Sequence, residues 1–202
     1  VSLFVYETSK KSKYRKNITV FGNTKFKKKF NIKYQNIELK KKLLSSQTRN
    51  YVNKFANLQK KFNFSIVEVH NRPSYIKIIR KTFKKKIILY FHNDPLNMSG
   101  STSIDDRIYL LNNVDKIFFN SEWCRKRFFL NIKKKNIYIN KTSLCFQSTS
   151  KVKINFKNKK KIISFVGKLN RSKGYDLFGE AIIRILNKHK DWKAVVYGDE
   201  PR

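Results

Sequence analysis

Residues 162–198 read IISFVGKLNRSKGYDLFGEAIIRILNKHKDWKAVVYG. Ile162–Val166 is an apolar run of five residues, bounded by Lys161 and Gly167, and so short a run reads as a buried strand. From Tyr175 to His189, Phe178, Ile182, Ile185 and Leu186 recur at helical spacing. Ala194–Tyr197 is a second apolar run. A strand, a helix and a strand in that order form a right-handed crossover between parallel strands, which places the chain in the α/β class.

Working outward, the same alternation covers the rest of the chain. Short apolar runs predict strands at Ser2–Tyr6, Ile18–Phe21, Ser65–Val69, Ile87–Phe91, Lys116–Phe119 and Ile137–Ile139. Helical patterns fall between them at Asn50–Phe62, Ser103–Asn113 and Ser121–Leu130. Ser103 and Ser121 are expected N-caps, and Asp105, Asp106 and Glu122 suit the positive end of the helix dipole. The polar stretch Gln147–Asn158 separates two such blocks. The expected organisation is a Rossmann-like domain over 1–146 with a parallel sheet of at least five strands, a linker over 147–160, and the first βαβ of a second domain over 161–202. One βαβ unit cannot bury its own sheet, and Val1 already lies in a strand-like run, so truncation at both ends is expected.

At 202 residues the chain is one full domain and part of another. Lys and Arg number 47 against 13 Asp and Glu, a net charge of +34. Val, Leu, Ile and Phe nevertheless make up about 31% of the residues, well above the level at which a charged chain stays unfolded. No apolar run approaches the roughly 18 residues that span a bilayer, and neither a membrane span nor a secretory signal is expected. Cys124 and Cys145 are isolated from each other and from histidine, so they read as inert thiols in a reducing compartment, with neither a zinc site nor a disulfide framework.

Richness in Lys, Asn, Ile and Phe is what an AT-rich coding sequence produces without selection for a partner. The lysine runs 84–86, 133–135 and 159–161 each precede an apolar run, where parallel strands begin. Ligands of open α/β sheets bind at the opposite, carboxyl ends. Most of the charge is therefore on the wrong side for chemistry, although it suits an anionic membrane surface.

The residues leaving the strands are the informative ones. Ser65–Val69 runs into His70-Asn71-Arg72-Pro73, and Ile87–Phe91 into His92-Asn93-Asp94-Pro95. Lys116–Phe119 exits into Asn120-Ser121-Glu122, and Ile162–Val166 into the loop Gly167–Gly174. That loop carries Lys168, Arg171 and Lys173 just before a helix N-terminus, where orphan N–H groups and the dipole favour an anion such as a phosphate or diphosphate. It is not a P-loop, and no Gly-x-Gly-x-x-Gly follows any strand. A histidine at a strand end is in general more often a hydrogen-bonded core residue than a catalyst.

The segment ISFVGKLNRSKGYDLFGEAI resembles the start of the C-terminal domain of family 4 (group 1) glycosyltransferases of the GT-B fold. Gly167-Lys168-Leu169 and Lys173-Gly174 match the family pattern, with Lys168 where Arg is usual. KDWKAVVYGD resembles the next strand and its glycine. IVEVHNRPSY, IILYFHNDP and KIFFNSEWCRKRF resemble three N-domain elements in order. The resemblance implies that Lys168 and Lys173, with Gly167, hold the diphosphate of a nucleotide-sugar donor. It implies His92 as the catalytic-site histidine, pointing into the cleft, with His70, Asn93 and Asp94 on the acceptor side. It further implies retention of anomeric configuration, no metal and no resident cofactor, a glycan or lipid-linked acceptor, and a role in surface polysaccharide or lipopolysaccharide synthesis. The expected location is the cytoplasm, peripheral on the inner face of the membrane. The Asn-Gly-x-Asp element of the family is not recognisable in Asn140–Gln147, and the acidic pair that grips the donor is expected beyond Arg202. The competing reading is a basic nucleic-acid-binding α/β protein, which needs aromatics interleaved with basic residues on an exposed face. Here most aromatics fall in strands and helix stripes instead.

Overall fold

In chain order the elements are α1 (Ser2–Lys11), β1 (Val20–Gly22), β2 (Tyr34–Asn36), α2 (Gln47–Leu58), β3 (Ile66–His70), α3 (Tyr75–Thr82) and β4 (Lys86–Phe91). Then come α4 (Ile104–Asn113), β5 (Lys116–Phe119), α5 (Glu122–Phe128), β6 (Thr142–Leu144), β7 (Ile162–Val166), α6 (Tyr175–Lys188) and β8 (Lys193–Tyr197). A computed structural model describes residues 2–24, 31–39, 46–133, 135–148, 151, 153, 155, 157 and 159–199. The chain divides into two compact units, Val1–Ser148 and Thr149–Arg202. The division lies within the expected linker, part of which falls outside the described residues.

Every strand pairing is parallel, as the alternation of apolar runs and helices predicts. In the first unit one sheet has the order β3-β4-β5-β6, and β1 and β2 form a separate pair. Among the described residues the main sheet thus has four strands, short of the five expected. Alternation along β4 buries Ile87, Leu89 and Phe91 on one face, where Ile117 and Phe119 of β5 join them. Ile76 and Ile79 of α3, Leu110 and Leu111 of α4, and Phe128 of α5 complete that core. Ser103 and Ser121 cap α4 and α5 as expected, accepting from the backbone N–H groups of Asp106 and Cys124.

Two expected strands are something else. Ser2–Tyr6 lies in α1, because a short apolar run has no periodicity of its own and this one needs only Phe4 turned inward, onto the rings of His70, Tyr90 and His92. Ile137–Ile139 lies in a 3-10 helix over Lys135–Lys141, and the strand follows at Thr142–Leu144. Thr142 sits opposite Ile117 with its hydroxyl donating to the carbonyl of Ile139, so a polar residue takes the buried place that the isoleucines seemed to claim. No expected element covers β2 or α3. Cys124 is buried and Cys145 half-buried, both as free thiols. No helix among the described residues is long and apolar enough to cross a membrane.

The second unit is the crossover β7-α6-β8, with Phe165 packed on Tyr175 and Phe178. Ile182 is the buried residue of α6.

Candidate functional site

On β3 and β4 the period of two puts Glu68, His70 and Tyr90 on the face opposite the main core, with His70 in register with Tyr90. His92 follows two residues beyond Tyr90. The rings of His70 and Tyr90 stack at 4.5 Å, Tyr90 stacks on Phe118 at 4.8 Å, and Phe4 meets the His92 ring edge-on at 4.8 Å.

His92 is held at every polar atom. Its backbone N–H donates to Asn71 Oδ1 at 2.7 Å, and its carbonyl accepts from Asn120 Nδ2 at 2.8 Å. Its Nε2 lies 3.1 Å from His70 Nδ1, and its Nδ1 lies 2.7 Å from Gln147 Nε2. Only 7% of the residue is exposed. Burial, and then the neighbouring His70, push its pKa down to about 4. At the carboxyl end of β4, where a histidine pointing into a cleft is expected, this ring is instead neutral, packed, and bonded at both nitrogens within its own unit.

A direction runs through the cluster. Glu68 Oε2 stands 3.6 Å from His70 Nε2. A carboxylate at that distance favours a proton on the facing nitrogen. His70 Nδ1 then accepts, His92 Nε2–H donates to it, and His92 Nδ1 accepts from the Gln147 amide. Gln147, expected in the linker, thus belongs to the first unit. Burial, followed by the Glu68 charge, raises the pKa of Tyr90 and of the Cys145 thiol.

The other N-domain expectations separate. Asp94 caps the short helix Pro95–Asn97 through Leu96 N–H and pairs with Arg127 at 3.0 Å, which together hold its carboxyl below the ordinary range despite burial that raises it. Its place is structural. Asn93 is exposed at the carboxyl end of β4, and its carbonyl accepts from the Cys124 thiol.

In the second unit the loop 167–174 is tied down by backbone. Gly167 N–H donates to the Tyr197 carbonyl at 3.0 Å and Leu169 N–H to that of Asp199 at 3.1 Å. Gly174 has φ of +72°, a left-handed value that glycine adopts without strain, and it starts α6 with no side-chain cap. Lys168 and Lys173 are exposed, and among the described residues neither has an ion-pair partner. Arg171 differs: it pairs with Asp176 at 3.4 Å.

Gly198 is a residue that sequence reasoning noticed without giving it a role. A Cβ built there would meet the Gly167 carbonyl oxygen at 2.0 Å and Leu169 Cδ2 at 2.8 Å, so the loop after β7 rests directly on this glycine. At Gly167 itself an added Cβ would meet nothing of the chain closer than the Phe165 ring at 3.5 Å.

Comparison with solved structures bears on the fold. The complex of accessory secretory proteins 1, 2 and 3 of Streptococcus pneumoniae superposes with a TM-score of 0.50 at 10% identity, over 75% of this chain and 30% of that one. S. aureus MnaA in complex with UDP gives 0.47 at 14% identity, over 83% and 49%. The chain thus spans less than half the length of either. Comparison with curated proteins finds no match. Residues 146–202 match the family of group 1 glycosyl transferases. That match lies almost wholly within the second unit, which is thus similar to group 1 glycosyl transferases, and the parallel α/β architecture described above is the kind from which the GT-B fold is built.

Proposed function

We propose that the protein transfers a sugar from a nucleotide-diphosphate donor to a glycan or lipid-linked acceptor, with the diphosphate held on the loop Gly167–Gly174. The observation that carries this reading is the pair of exposed lysines, Lys168 and Lys173, without ion-pair partners among the described residues, on the loop that leads into α6 and inside the segment that matches the family. Two ammonium groups beside the positive end of a helix dipole suit two phosphates, and they stabilise the nucleoside diphosphate as it departs. Gly167 supports the same reading. Its own chain would tolerate a methyl group there, so the missing side chain leaves room for a ligand.

In the first unit His92 acts by position. With its proton on Nε2 committed to His70 and its Nδ1 accepting from Gln147, it is no general base at neutral pH. It holds the carboxyl ends of β3 and β4 in register, and it is Asn93 that stays exposed there. Retention of configuration, with the nucleotide sugar as substrate and no resident cofactor, completes the proposal. So does work at the cytoplasmic face of a membrane, on a surface polysaccharide or lipopolysaccharide.

The test supplies the full-length protein with UDP-, GDP- and ADP-linked sugars and a membrane extract rich in lipid-linked acceptors. Nucleoside diphosphate release matched by a glycosylated product of retained anomeric configuration supports the proposal. Absence of transfer from every donor, or an inverted product, overturns it.

A further inference from the structure

The four-stranded sheet has two rims of opposite character. Acidic residues of its connecting segments gather at the carboxyl ends of the strands: Asp94 after β4, Asp105 and Asp106 in the first turn of α4, and Glu122 opening α5. At the amino ends the corresponding segments carry one acid, Asp115, and it is spent. It accepts from Ile87 N–H at 2.8 Å and pairs with Arg80 at 3.3 Å. The segments that lead into the strands at this rim carry Lys60, Lys61, Lys84, Lys85 and Lys133, with Lys86 opening β4, all exposed. A compositional excess of lysine enriches every surface alike, whereas here the acids are sorted to one rim.

The amino rim also exposes aliphatic side chains. Ile66, the first residue of β3, is 46% exposed and in register with Lys86. At the other side of the sheet, the 3-10 helix before β6 exposes Ile137 by 68% and Ile139 by 50%. That helix is fastened to the rim: Lys116 Nζ donates to the Asn140 carbonyl, Tyr138 hydroxyl to Asn112, and Lys141 Nζ to the Leu111 carbonyl. The isoleucines are thus presented on firm backbone, at both ends of a row of lysines.

We propose that this amino rim is a docking face for an anionic lipid bilayer, with the lysines on the headgroups and Ile66, Ile137 and Ile139 entering the interface. Aliphatic tips flanked by ammonium groups fit a surface that is anionic above and apolar below. A nucleic acid would be met by stacking aromatics, but those nearest this rim are turned inward. Phe62 and Phe64 stack on each other at 5.1 Å, and Tyr138 packs against the core. The proposal does not rest on the transferase reading, and its test does not use catalysis.

The 202-residue chain is floated with vesicles of phosphatidylcholine, with and without phosphatidylglycerol. Expected is binding to the anionic vesicles alone. Each lysine near such a surface strengthens binding about fivefold, so Lys84→Gln, Lys85→Gln and Lys86→Gln together should weaken it on the order of 100-fold. The same number of charges removed by Lys10→Gln, Lys13→Gln and Lys16→Gln should cost far less. Ile137→Ser with Ile139→Ser should also weaken binding to the anionic vesicles, on the order of 10-fold or more, with the row of lysines intact. Equal losses from the two lysine triples overturn the proposal, as does an isoleucine double variant that binds like the parent. Tighter binding to a DNA oligonucleotide than to the vesicles overturns it in favour of nucleic acid.

Discussion

His92 Nε2 lies 3.1 Å from His70 Nδ1, and Glu68, beyond His70, decides which of the two nitrogens carries the proton. Two imidazoles in contact share one hydrogen bond only if one ring donates and the other accepts. The carboxylate at one end and the Gln147 amide at the other select a single direction for that bond, with the His92 ring neutral.

A pH dependence follows from His92. In the unfolded chain a histidine titrates near 6.5, and in the folded one His92 titrates near 4. Below about pH 6.5 the unfolded state binds the extra proton, so the stability due to the neutral ring is complete above that pH and is lost as pH falls toward 4. Urea unfolding at several pH values should show the parent losing on the order of 3 kcal/mol more than His92→Gln across this window. Parallel stability curves for the two proteins would contradict it.

Arg107 supplies a second prediction. It is buried, and its guanidinium donates to the carbonyls of Ser103, Phe128 and Leu130 at 3.1, 2.7 and 2.9 Å, closing the end of α5 against α4. Arg107→Met keeps the stem and strands those carbonyls, at a cost of about 3 kcal/mol. Arg107→Lys should recover little of this, because one ammonium cannot span three acceptors. Urea midpoints at neutral pH measure both.

The parallel architecture was legible because parallel strands read as continuous apolar runs, as in Ile87–Phe91, with one face buried and the other half-buried, and in Ile162–Val166, although β7 stays exposed or half-buried in the single crossover of the second unit. The same rule failed at Ser2–Tyr6 and Ile137–Ile139, where the run lies in a helix or on a surface and its length alone cannot say so. Thr142–Leu144 was missed because a short edge strand of Thr, Ser and Leu carries no periodicity. Of the site, the loop 167–174 was legible as a local pattern of glycine and lysine. The cluster of Glu68, His70, His92 and Gln147 was not, since Gln147 joins it only through the tertiary fold. The place of His92 at a strand end is local and legible, whereas the partners that close around its ring are remote in sequence.

Two glycines of the second unit should behave in opposite ways. Gly198→Ala drives a methyl group to within 2.0 Å of the Gly167 carbonyl, so the loop must move and the β7–β8 connection loosens. The expected loss is about 1–3 kcal/mol of stability in that unit, seen as faster amide exchange along β7 and β8. Gly167→Ala meets only ordinary contacts and should leave exchange unchanged while lowering affinity for a nucleoside diphosphate. If Gly167→Ala destabilised the unit as much as Gly198→Ala, the room at Gly167 would be structural and not reserved for a ligand.

The lysines give the sharpest test of the donor loop. Lys168 and Lys173 are exposed and hold no partner among the described residues, so replacing either with alanine should leave unfolding unchanged. A charge-assisted hydrogen bond to phosphate is worth about 1.5–3 kcal/mol, which converts to roughly a 10- to 150-fold loss of kcat/KM in the full-length protein for each substitution. The loss should be the same for every donor sharing the diphosphate, because neither lysine is called on to touch the sugar. Arg171→Ala should cost less, since its guanidinium is already engaged by Asp176. Lys84→Ala is the matched control: the residue is equally exposed but sits at the amino end of β4, so transfer to a soluble acceptor should be unaffected. Calorimetry with a nucleoside diphosphate alone separates binding from turnover. Equal losses from Lys84→Ala and Lys173→Ala would mean that the overall positive charge draws in the donor and that no specific site exists on this loop.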